Sequence, residues 1–96
     1  MALFPPLEVV DYSGQITAGG TAQDVYSAAQ QPEEALEFYN TSAATMYIDW
    51  DKPATAAAGV PVAPGMGWIS TPSLMPKGRL SVLCATTDAT FICKAM

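Results

Sequence analysis

Pro32-Glu33-Glu34-Ala35-Leu36-Glu37-Phe38-Tyr39-Asn40 is the stretch on which the fold of this chain turns. Local propensity favours a helix, because a proline at the first helical position followed by two acids is a common helix opening. Against that, Leu36, Phe38 and Asn40 recur two residues apart and share one face of a strand. The same ambiguity runs upstream. Thr21 could cap a helix from Ala22 to Gln30, yet Val25 and Tyr26 also fit a strand joined to the next one across a Gln30-Gln31-Pro32 turn.

Beyond Asn40 the pattern is plainer. Met46 and Ile48 alternate with Tyr47 and Asp49 ahead of Trp50, which predicts a strand with one buried face. The alanine-rich run from Asp51 to Gly59 reads as a loop. Val60-Pro61-Val62, the Pro64-Gly65 turn and a return over Met66 to Ile69 predict a hairpin. Thr71 to Gly78 is a second loop, and it delivers Arg79 to Cys84, a strand expected to pair with the last one around Thr86 to Ala89. Towards the N-terminus, Val9, Val10 and Tyr12 suit a short strand ended by Ser13-Gly14, and Gln15-Ile16-Thr17 suits another ended by Gly19-Gly20.

Six to eight short strands with turn signals about every ten residues predict an all-β fold, a small antiparallel β-sandwich or jelly-roll-like barrel. That choice makes 35–41 a strand. A single β-sandwich domain is expected over 9–96, preceded by an extended N-terminal arm over 1–8 in which Pro5-Pro6 imposes a polyproline-like course. Leu3, Phe4 and Leu7 would give this arm apolar anchors for a neighbouring chain.

The composition narrows the functions open to such a domain. The 96 residues hold no histidine, so the commonest metal ligand and the usual general base near neutral pH are missing. Half the residues are apolar, and nine acids against four bases give a net charge of −5. Lys52, Lys77, Arg79 and Lys94 are scattered, whereas nucleic-acid binding needs several cations on one face. No membrane partner is expected, since neither a signal peptide nor a transmembrane span can be read in the sequence.

Several residues invite a chemical reading. Glu33, Glu34 and Glu37 could hold a hard cation, but a solvated turn and strand edge suits them better. Asp49 and Asp51 would share a face if both lay in one strand, the arrangement of paired carboxylates in glycoside chemistry. Tyr47, Trp50 and Trp68 could form a sugar-stacking platform, pack in the core or serve a subunit interface, and Trp50 and Trp68 are taken as interface candidates beside the arm. Cys84 and Cys93 make only half of a structural zinc site. They are expected to be reduced and to face the core from the closing hairpin, with Cys84 opposite Phe91 and Cys93 opposite Val82. Gly14 and Gly19-Gly20 read as turn residues. No catalytic residue, cofactor or metal site is assigned.

Over most of residues 10–96 the chain resembles a family of small bacteriophage structural proteins. The similar segments are Asp11-Tyr12-Ser13-Gly14-Gln15-Ile16-Thr17, Gly19-Gly20-Thr21-Ala22-Gln23, Asn40-Thr41-Ser42 with Met46-Tyr47-Ile48-Asp49, the Pro64-Gly65 turn, and Cys84-Ala85-Thr86-Thr87 to Phe91. The chain departs from the pattern at Glu33-Glu34, where basic residues are expected, and in its proline-rich start. The resemblance implies a non-enzymatic β-sandwich in the virion, assembled in the host cytoplasm, and independently favours a strand at 35–41. A capsid decoration or cement protein fits, a homo-oligomer in contact with the major capsid protein or other virion subunits. A neck or tail connector, a fibre-associated protein and a host-glycan-binding module are the alternatives.

Overall fold

In the computed structural model, which describes residues 9–96, the decisive stretch is a strand. Leu36, Phe38 and Asn40 are buried on one face of β4 (Leu36–Asn40), with Glu37 and Tyr39 half-buried on the other. A helix would have scattered the three buried side chains around its axis. The backbone N–H groups of Glu33, Glu34 and Ala35 all donate to the Met96 carbonyl, at 3.1, 2.9 and 3.3 Å. Upstream, the chain forms a strand at Gln23–Tyr26 and then a single 3-10 turn at Ala28–Gln30, where the Gln30 side-chain oxygen accepts from the Ser27 N–H and hydroxyl.

The remaining strands are β1 (Val10–Asp11), β2 (Gly14–Gln15), β3 (Gln23–Tyr26), β5 (Met46–Trp50), β6 (Val60–Val62), β7 (Gly67–Ser70), β8 (Leu80–Cys84) and β9 (Thr90–Ala95). The described residues thus hold nine strands against the expected six to eight. β1 and β2 are only two residues long beside β9, and β2 takes in Gly14, read as a turn residue, while Ile16 and Thr17 lie outside it. The strands form two antiparallel sheets packed as a β-sandwich. One has the order β1-β9-β4-β7 with β2 also on β9, and the other runs β3-β8-β5-β6.

The inner faces make the core. Leu36 and Phe38 from β4 and Phe91, Cys93 and Ala95 from β9 meet Tyr26, Met46, Ile48, Leu80, Val82 and Cys84 from the other sheet. Phe38 and Phe91 stack with ring centroids 5.4 Å apart. Burying each large apolar side chain of this kind contributes about 1.5–3 kcal/mol. Ser81 is buried on the outer face of β8, because the 51–59 loop folds over it and the Ala54 N–H donates to its hydroxyl at 3.0 Å.

Three expected pairings are not made. β3 and β4 lie in different sheets, so no hairpin joins them across Gln30-Gln31-Pro32. β6 and β7 are likewise in different sheets. The turn between them places Pro64 and Gly65 at its centre, with Gly65 at φ 75° and the Met66 N–H bonded to the Ala63 carbonyl at 3.0 Å, which is the type II pattern. Type II turns splay the strands they join, whereas hairpins take the primed types. β6 instead pairs with β5 across the 51–59 loop, setting Met46 opposite Val62.

The last two strands part in the same way. β8 pairs with β3 and β5, while β9 pairs with β1, β2 and β4. The 85–89 connection is drawn across by the 16–20 segment, through Asp88 N–H to the Ile16 carbonyl at 2.8 Å and Ile16 N–H to the Ala89 carbonyl at 2.9 Å. Cys84 and Cys93 therefore face the core from opposite sheets. Cys84 lies opposite Met46 and Cys93 opposite Phe38, both thiols free and buried.

Candidate functional site

The sandwich has two lateral sides that differ in chemistry. One is edged by β1, β2 and β3. Lys94 reaches Asp11 there at 2.8 Å, and Arg79 reaches Asp24 at 3.3 Å. The Lys94 ammonium, aided by hydrogen bonds from Ser13, holds the Asp11 carboxyl well below the usual carboxylate range. A bulge between Asp24 and Tyr26 also interrupts the β3 edge.

The other side is edged by β6 and β7, which the 63–66 turn joins. Every residue from 53 to 76 is uncharged in a chain of net charge −5. Four large apolar side chains in that stretch reach solvent: Val60 at 37%, Met66 at 59%, Ile69 at 61% and Leu74 at 75% exposure. Just inside this side, Trp50 of β5 and Trp68 of β7 bridge the sheets, with ring centroids 4.7 Å apart and planes inclined at 47°.

Asn40 holds the two sheets together at this side. Its side-chain N–H groups donate to the carbonyls of Val62 on β6 (2.8 Å) and Ala44 (2.7 Å), and its side-chain oxygen accepts from the Ser42 N–H and hydroxyl. Its backbone N–H donates to the Met66 carbonyl, and its own carbonyl accepts from Gly65. One buried residue thus fastens β4 to β6 through its side chain and to the crossing between the sheets through its backbone.

The residues singled out in the sequence do not converge on one site. Leu3, Phe4 and Leu7 lie outside the described residues. Trp50 and Trp68 are half-buried and packed against the core, and they turn towards each other. Tyr47 points to the opposite face of β5, so the three aromatic rings do not form a platform. Asp49 is in β5 and bonded to Lys52 at 3.7 Å, whereas Asp51 has left the strand with φ 63°. The two carboxylates therefore do not share a strand face. Glu37 projects from β4 opposite Lys94, apart from the loop that carries Glu33 and Glu34. Among the described residues, no three acidic or thiol side chains gather as a metal-ligand set.

Two buried weak acids lie towards the ion-paired side. Burial pushes the Cys93 thiol up to about 12, with a smaller contribution from the Asp11 charge. The Tyr26 hydroxyl is also pushed up to about 12 by burial, and the nearby Trp50 indole offsets part of that rise. Among the described residues, neither the Tyr26 hydroxyl nor Trp50 Nε1 has a partner in hydrogen-bond geometry.

Neither a family model, a curated protein nor a solved structure was found to match the chain. The feature that sequence reasoning missed is the uncharged side itself. Its signal was the run from 53 to 76 without a charge, which reads as loop and hairpin until β6 and β7 are placed as neighbouring edges.

Proposed function

We propose that this chain is a non-enzymatic structural component of a bacteriophage virion, a capsid decoration or cement protein that works by surface burial. The observation that carries the reading is the uncharged β6 and β7 side, with Val60, Met66, Ile69 and Leu74 open to solvent. An apolar surface lacking charge on an otherwise acidic domain suits attachment to other subunits. The resemblance at Asp11 to Thr17, Asn40 to Asp49 and Cys84 to Phe91 supplies the virion setting. The partners are the major capsid protein or neighbouring virion subunits, in a homo-oligomeric arrangement and with no nucleic acid or membrane involved. Contacts that are modest per copy become strong when repeated over a lattice.

The test is the number of copies per particle, measured by quantitative mass spectrometry of purified virions. Hundreds of copies support decoration. Six or twelve would replace it with a neck or tail connector, and absence from the particle would end the virion reading.

A further inference from the structure

Among the described residues, the four sheet edges are not equally protected. β3 carries a bulge and the Asp24 ion pair, β1 and β2 are two-residue strands beside the Asp11 ion pair, and β6 contains Pro61, which has no N–H to offer. β7, Gly67-Trp68-Ile69-Ser70, contains no proline, bulge or charge. The Asn40 N–H donates to the Met66 carbonyl at 2.9 Å, which makes Phe38 with Trp68 and Leu36 with Ser70 the hydrogen-bonded pairs of the ladder. The N–H and C=O groups of Gly67 and Ile69 consequently point out of the open edge.

We propose that β7 pairs antiparallel with β7 of a second copy of this chain, about a two-fold axis at Trp68, joining the two five-stranded sheets into one. This register sets Gly67 of each copy against Ile69 of the other, so each such pair exchanges both of its edge hydrogen bonds. It also keeps the outward side chains on one face. A Cβ on Gly67 would collide with the Tyr39 ring, so that ring already covers the glycine. Ile69 of the second copy lands beside it and gains an aromatic partner.

Charge also favours a second copy at this edge. Two molecules of net charge −5 repel each other, and the side formed by residues 53 to 76 is where they can approach without opposed carboxylates. The nearest acid on the outer face is Glu37, opposite Ile69 on β4. In the paired sheet the two Glu37 positions are separated by three strand spacings, about 14 Å, beyond the screening length of about 8 Å at physiological salt. The inference deepens the assembly reading and rests on it for its biological purpose, while its geometry stands on the β7 edge alone.

Sedimentation velocity of the full chain tests it, with Ile69→Lys placing a charge on the edge and Ile92→Lys placing one on the same outer face but on the interior strand β9. At about 100 μM, within reach of a small interface, the wild type is expected to double its 10.1 kDa mass. Ile69→Lys should restore the monomer, and Ile92→Lys should leave the dimer intact. Both positions are solvent-exposed, and circular dichroism checks that each variant is folded. A monomeric wild type overturns the proposal, as does a dimer that survives Ile69→Lys. In the wild type, exchange of the Gly67 and Ile69 amides should slow as concentration rises, and rates independent of concentration would also overturn it. A solution monomer present in hundreds of copies per virion would refute the pairing but keep the virion reading. A solution dimer absent from virions would do the reverse.

Discussion

The two sides of the sandwich close the same core by opposite means. The β1, β2 and β3 side is sealed with ion pairs and a bulge, and it carries two buried weak acids just beneath. The β6 and β7 side is formed by residues 53–76, which carry no charge, and Asn40, the Trp50 and Trp68 pair and a type II crossing hold it together. Exposed ion pairs add little stability but discourage association. A buried amide network adds stability and leaves the outer edge free to be apolar. One side therefore presents paired charges to solvent, and the other presents exposed apolar side chains.

The largest effect that could break this contrast is expected from Asn40→Ala. Removing the side chain takes a donor from the Val62 carbonyl and the acceptor from the Ser42 N–H, and the expected cost is about 2–4 kcal/mol, read from urea unfolding. A loss below about 1 kcal/mol would mean that Asn40 does not hold the uncharged side.

Alkaline pH should act next, and on the opposite side. The Tyr26 and Cys93 values are raised in the folded chain, so unfolded molecules lose these protons first, the thiol near 9 and the phenol near 10. Their contribution is intact below those values. Stability should then fall as pH rises towards 12, with the slope of a single group approaching about 1.4 kcal/mol per pH unit. Amide exchange should accelerate first around β1 to β3, and a first opening at β7 would contradict the assignment. Cys93→Ala should flatten the slope.

Gly67→Val should cost about 1 kcal/mol, since its side chain displaces the Tyr39 ring from the uncharged edge. Asp24→Asn is expected to have the smallest effect. Its pair with Arg79 is largely exposed, so unfolding should shift by less than about 1 kcal/mol, and the shift should shrink in high salt.

Residues facing the core were legible wherever a period of two ran uninterrupted, as at Leu36, Phe38 and Asn40, at Met46 and Ile48, and at Leu80, Val82 and Cys84. Strand partners were not legible, because alternation specifies a face and says nothing about which strand lies alongside. Pro64-Gly65 did carry a usable clue, since that dipeptide sets a type II turn and type II turns suit crossings between sheets. At Thr86 to Ala89 the positive φ falls on Asp88, and the partner that draws the turn across is Ile16, some seventy residues earlier. No local window contains that information. The uncharged side was spelled out in the sequence from 53 to 76, but it becomes a surface only when two edges from different sheets lie next to each other.

The position of β9 bears on how the molecule is made. β9 lies between β4 and the β1 and β2 segments and is their common partner, so without it the larger sheet falls into a β4 and β7 pair and two unpaired fragments. The other sheet offers one pairing between consecutive strands, β5 with β6. A ribosome delivering this chain from its N-terminus therefore releases every other described strand before residues 90–95 can join them, and folding of the larger sheet waits until β9 has emerged. Closure then depends on contacts between distant segments, which places it among the slower small domains, at milliseconds to seconds. Throughout that interval β7 has no finished sheet behind it, and its uncharged edge is most open to the wrong neighbour.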